Sequence, residues 1–268
     1  MPNGLFRALL GVALLGALGG LRAQTGSLTI GAFEYPPIYQ NQADKGLSGE
    51  IALAAFKAAN VDAVLRFYPV ARMIHSVKTG DVPCAIGGAI LFENELKARQ
   101  AVQGEILQYV AQTFFYDTRR FPAGIQFSTL EEIDRTLIVG VLYSSGIMKL
   151  LEKIPALNLT HNTSHDGLAR QLVARRIDLW AAVDLTGYMH LKTLYPKEAP
   201  YFAITRSYHH GDVSLICGTK NNEHAKILSQ FAEGLGKIKK NGEYMNIMAK
   251  YYGGIDRINR ESLPKDLR

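Results

Sequence analysis

Cysteine and tryptophan are scarce: the 268 residues include two cysteines and one tryptophan. No cysteine and no HExxH pattern accompanies His161 with His165 or the pair His209-His210, and two ligands do not close a metal site, so no metal is expected. No residue pattern calls for a cofactor. Clustered positive charge is missing too. The formal charge is +6, falling to +4 without Arg7 and Arg22, and no Lys/Arg run is interleaved with aromatics, which argues against a nucleic-acid partner. Beyond residue 24 no apolar run is long enough to cross a membrane, and no cysteine directly follows the first apolar run, so a lipid anchor is not expected either.

That first run is present for another reason. Arg7, the apolar stretch Ala8 to Gly20 and the small Ala23 have the layout of a secretory signal peptide over residues 1–23. The stretch is shorter than the roughly 20 residues of a spanning helix. A soluble, exported mature chain is expected, large enough for one big domain or two lobes. Export would permit a disulfide between Cys84 and Cys217; two buried free thiols are the alternative.

The chain then alternates. LTIGA reads as a strand, followed by an aromatic, proline-stiffened mouth at Tyr35-Pro36-Pro37. SGEIALAAFKAAN is a buried helix, AVLRFYPV a second strand, ARMIHSVKTG a helix closed by Gly80, and VPCAIGGAI a third strand. This order predicts a parallel sheet with crossovers. ILQYVAQTFFYDT is too long for one strand of a compact lobe and is expected to cross to a second lobe. There, a turn at 128–133, the strand LIVGVLY, a helix opened by Ser144-Ser145, a short strand at 157–159, the helix HDGLARQLVARR and the strand IDLWAAVD repeat the pattern. YFAITRSYHHGDVSLICGT returns, and two helices close the chain. Lobe 1 is expected over 24–108 and 209–254, lobe 2 over 109–208, and a loose polar tail over 255–268.

These features together resemble the bacterial extracellular solute-binding proteins of family 3, the type II periplasmic binding proteins of polar amino acid ABC transporters. The resemblance rests on YPPIY, Leu47-Ser48-Gly49-Glu50, the paired VKTGDV and VARRIDLWAAVD, VGVLYSSG and KKNGEYMNIMAKYYGG, in that order over nearly the whole mature chain. It implies an α/β, two-lobed fold, each lobe a mostly parallel sheet flanked by helices, with two crossing segments as a hinge that closes on a solute. It implies a small polar ligand, an amino acid or other carboxylate, an ABC permease as partner, a periplasmic location and a monomer.

Within that resemblance Tyr35 is the aromatic wall of the cleft, or else packs on its own prolines. Ser144 and Ser145 open a helix after a strand, where hydroxyls and N–H groups suit an anion or simply cap the helix. The family's carboxylate-pinning arginine has no match at its usual place. Arg99 could reach the site through a loop insertion, and Arg72 in YPVARMI resembles a Pro-x-x-Arg group of more distant members. Asp184 would hold an ammonium, although its spacing is one residue long and a slip turns a side chain to the other sheet face. Trp180 is expected in the core. A dehydratase-like enzyme of the same fold is the rival, with Glu34, Glu50 and His75 as candidate acids or bases.

Overall fold

The computed structural model describes residues 27–143 and 145–268. The signal-like segment 1–23 and Ser144 lie outside the described residues. The first half alternates as expected through β1 (Leu28–Ala32), α1 (Leu47–Ala58), β2 (Ala63–Phe67), α2 (Val70–Thr79) and β3 (Cys84–Gly87). The third strand is shorter than VPCAIGGAI, because a 3-10 turn at Ala89–Phe92 and the short helix α3 (Glu93–Lys97) take over after the glycine pair. The long extended run is a single strand, β4 (Ala101–Asp117), of 17 residues. A second alternating set follows: β5 (Val139–Leu142), α4 (Gly146–Leu151), β6 (Leu159–Asn162), α5 (His165–Val173), β7 (Leu179–Val183) and α6 (Asp184–Leu194). β8 (Phe202–Ile204), β9 (His209–Gly218), α7 (His224–Lys240) and α8 (Glu243–Tyr252) complete the chain, ahead of three 3-10 turns.

Among the described residues the strands form one nine-stranded sheet ordered β2-β1-β3-β9-β4-β7-β5-β6, with β8 also on β4. Its ends are parallel trios and its centre is the antiparallel pair β4 and β9. That register creates the hinge region. β3 reaches Gly87 opposite Ser214, which pairs with Ile106, while β7 ends at Val183 opposite Gln112. Both trios therefore aim their carboxyl ends at the same stretch of β4, residues 107–111, a span of roughly 17 Å at about 3.3 Å per residue.

Among the described residues, four apolar clusters cover the two faces of each half-sheet. One half has α1, α7 and α8 on one face and α2 with Phe92 on the other. The second has Phe114, Val139 and Leu151 on one face and Phe115, Trp180 and Leu172 on the other. Trp180 is fully buried, as its strand position requires. Between the cysteines the sequence leaves two readings, and the register decides: Cys84 and Cys217 are directly paired across β3 and β9 and are disulfide-bonded.

One element lay outside the sequence expectation and one segment departs from it. α6 is a full helix where the hydrophobic pattern of DLTGYMHLKTL is weak; it lies so close over β4 that a Cβ on Gly187 would sit 2.2 Å from the Phe115 ring. The segment 255–268 is not loose. It buries Ser262, Leu263 and Ile258 against the first half and ties Asp266 to Lys239 at 3.0 Å.

Candidate functional site

The carboxyl ends of β1, β2, β3 and β5 deliver Phe33, Tyr68, Ile90 and Tyr143 around the β4 crossing. Ile90 and Tyr143 are 63% and 60% exposed, unusual for such side chains and fitting for two rims of a cleft. The mouth after β1 is a tied loop: the Tyr35 N–H donates to the Tyr39 carbonyl at 2.9 Å, and the reverse bond measures 3.0 Å. Its carbonyls also cap α1, since Leu47 N–H donates to Pro37 and Ser48 N–H to Ile38. The amino end of α1 is thus spent on the mouth itself.

Tyr35 reaches the other half of the molecule. Its ring meets that of His165 edge to face at 5.8 Å, and Thr186 donates its hydroxyl proton to the Pro36 carbonyl at 3.2 Å. Burial pushes the Tyr35 hydroxyl up to about 12, partly offset by its hydrogen bond with Thr186.

The other expected residues are scattered. Arg72 lies in the first turn of α2, at the carboxyl end of β2, exposed and without an ion pair among the described residues. Arg99 is at the wrong end of the sheet. Its carbonyl accepts from Thr219, and Val102, three residues on, pairs with Cys217, which faces the first residue of β3. The inserted loop forms α3 and a turn with Arg99 at a φ of 56°, which returns the chain to the amino end of β3 instead of the cleft. Ser145 spends its hydroxyl on capping α4, accepting from Met148 N–H at 3.1 Å. Asp184 turns away from Tyr35: its carboxylate accepts from the Leu185 N–H at 2.7 Å and from Asn259 Nδ2 at 2.9 Å, and burial raises its pKa despite those bonds. Asp184 lies just past the end of β7, as the first residue of α6, and the terminal segment supplies its partner Asn259.

His165, weighed in the sequence only as a metal ligand, comes to the cleft instead. It is the first residue of α5, just beyond Ser164, whose hydroxyl caps the helix by accepting from Gly167 N–H at 3.0 Å. Its ring lies 5.8 Å from Trp180 and 5.5 Å from His190, and neither ring nitrogen has a partner among the described residues. Burial first, then His190, pull its pKa down to about 4, against the opposing pull of Asp166. Trp180 Nε1 and the Tyr208 hydroxyl are likewise buried without partners, and Tyr208 stacks on Phe114 at 4.3 Å. A capped helix opening directly after a strand was the available signal. The remaining histidines disperse: His161 faces Glu152 at 3.8 Å, and His210, on β9, faces Glu261 at 3.1 Å.

The site can therefore do one thing well chemically. It offers aromatic faces and neutral, unsatisfied donors and acceptors between two halves joined by two strands.

No sequence-family model and no curated protein matches the chain. Solved structures do. A histidine kinase sensor domain with similarity to periplasmic binding proteins superposes with a TM-score of 0.62 at 19% identity, over 85% of this chain and 96% of its own. The arginine-, lysine-, histidine-binding protein ArtJ of Geobacillus stearothermophilus gives 0.59 at 14% identity, over 90% and 97%. An ancestral amino acid-binding protein, a precursor of cyclohexadienyl dehydratase, gives 0.60 at 14% identity, over 84% and 95%. The chain is similar to these proteins across almost their whole lengths, and it has the mixed α/β, two-lobed periplasmic binding protein fold.

Proposed function

We propose that this chain is a periplasmic solute-binding protein of the family 3 kind, which captures a small polar solute, an amino acid or other carboxylate, between its lobes for an ABC importer. The observation that carries this is Tyr35, delivered by one lobe and held against His165 and Thr186 of the other across the β4–β9 crossing. A ligand there would exchange its hydration for aromatic contact and for the buried groups that lack partners, each costing about 1–3 kcal/mol while unsatisfied. Arg72 is the arginine to meet a carboxylate, since Arg99 lies at the far end of the sheet.

The same-fold enzyme is the second reading, and the unprotonated His165 is what favours it as a general base. Of the acids, Glu34 accepts from Asn41 N–H and Glu50 is engaged by Lys250. Incubation with a metabolite library separates the two readings. Binding predicts a thermal shift with the solute recovered unchanged; turnover of the solute would replace this proposal by the enzyme. Tyr35→Ala and Arg72→Ala are expected to lower affinity by about tenfold or more, and Arg99→Ala to leave it alone. A loss with Arg99→Ala and none with Arg72→Ala would reverse the assignment.

A further inference from the structure

A cavity lies beside the mouth loop, on the side of α6 and the terminal segment. It has a volume of about 850 Å³, within the roughly 300–1,000 Å³ of small-molecule sites. None of Phe33, Tyr68, Ile90 or Tyr143 lines it, and Pro37 is its one contact with the mouth loop. One wall is α6, another the return crossing 204–207, a third the end of α8, and the last the terminal segment at Arg257, Asn259 and Glu261. Both lobes thus contribute to it.

Its lining has a polarity. The inner surface is apolar and aromatic, from Leu185, Tyr188, Met189 and Ile204. The acids there are already engaged: Asp184 accepts from Leu185 N–H and Asn259, and Glu261 faces His210 at 3.1 Å. Arg206 turns its guanidinium away to the Ser128 carbonyl. Lys192 and Arg257 are exposed at the rim with no ion pair among the described residues. An apolar lining with two exposed cations that form no ion pair among the described residues suits a molecule with an apolar body and one anionic head.

We propose that this cavity is a second ligand site, which takes a small amphipathic organic carboxylate, its head on Lys192 and Arg257 and its body over Tyr188 and Met189. Because α6 and the terminal segment belong to different lobes, occupation ties them together.

The test uses the mature full-length chain, with 4-phenylbutyrate as probe and its uncharged amide and the cationic 4-phenylbutylamine as controls, read by calorimetric titration and thermal shift. The carboxylate is expected to bind and to raise the unfolding midpoint, while the amide and amine do neither. Lys192→Glu with Arg257→Glu should weaken binding by about tenfold or more. Met189→Trp, which fills the cavity, should abolish it. Tyr35→Ala should retain it, whether or not the cleft binds a solute, which separates this site from the proposed function. No binding of the carboxylate to the wild-type chain, equal binding of the amide, or undiminished binding in both the charge and the filling variants would overturn the proposal.

Discussion

A buried imidazole without a hydrogen-bond partner is costly, and His165 is held that way between Tyr35 and Trp180. Its environment penalises the charged form, so the folded protein leaves it unprotonated down to about pH 4, whereas the unfolded chain takes up its proton near the ordinary value of 6.5. Between those two values the unfolded state holds more protons, and stability falls as pH falls. The full effect is at most about 3 kcal/mol, complete once the pH is below the folded value. Asp184, whose pKa is raised by burial, works in the opposite direction, so the informative quantity is a difference. Denaturant unfolding at pH 7.5, 5.5 and 4.5 should show that His165→Phe loses less stability on acidification than wild type. Equal losses would mean that His165 is not kept neutral by its surroundings.

At the scale of elements, α7 holds a paired control. Gly234 faces α1 so closely that a Cβ there would lie 1.8 Å from the Ala55 carbonyl oxygen, while a Cβ on Gly236, two residues on in the same helix, meets nothing within 4 Å. Gly236→Ala should stabilise the protein by about 0.5–1 kcal/mol, the ordinary helical preference for alanine over glycine. Gly234→Ala should destabilise it by about 2 kcal/mol or more, because two helices must separate. Thermal unfolding of both variants checks this, and equal signs would show that the α1–α7 contact is not tight. The same elements show what the sequence made legible. Alternation of apolar runs with capped helices was enough to place β1 to β3, the long β4 and the return strand, since period and turn residues are local properties. α6 was missed because its helical character rests on its fit over Phe115, a contact 72 residues away in sequence that no local pattern announces. Tyr35 was visible because the mouth that carries it is contiguous. Arg99, Asp184 and His165 depended on where α3, the terminal segment and α5 lead, and these are tertiary outcomes.

For the molecule as a whole, the terminal segment is the stretch that touches both halves and the strands between them. It runs from lobe 1, where Leu263 is buried and Asp266 meets Lys239, across the hinge strands, where Glu261 meets His210 and Arg268 lies 5.2 Å over the Tyr109 ring. It ends its reach on lobe 2 through Asn259 and Asp184 at 2.9 Å. The exposed ion pairs contribute little, about 0–1 kcal/mol each. Burial of Leu263 and the bond to a carboxylate at the base of α6 contribute more, about 1.5–3 kcal/mol apiece. Deleting residues 255–268 should therefore lower stability by about 3–6 kcal/mol and, in small-angle scattering, enlarge the radius of gyration as the lobes part. Asn259→Ala isolates the interlobe bond, because it leaves Leu263 and Ser262 in place. It should cost about 1.5–3 kcal/mol and still shift the scattering towards the open form. If Asn259→Ala loses stability with unchanged scattering, the segment merely covers the core, and the lobes are held by the Tyr35 contacts and the two crossing strands alone.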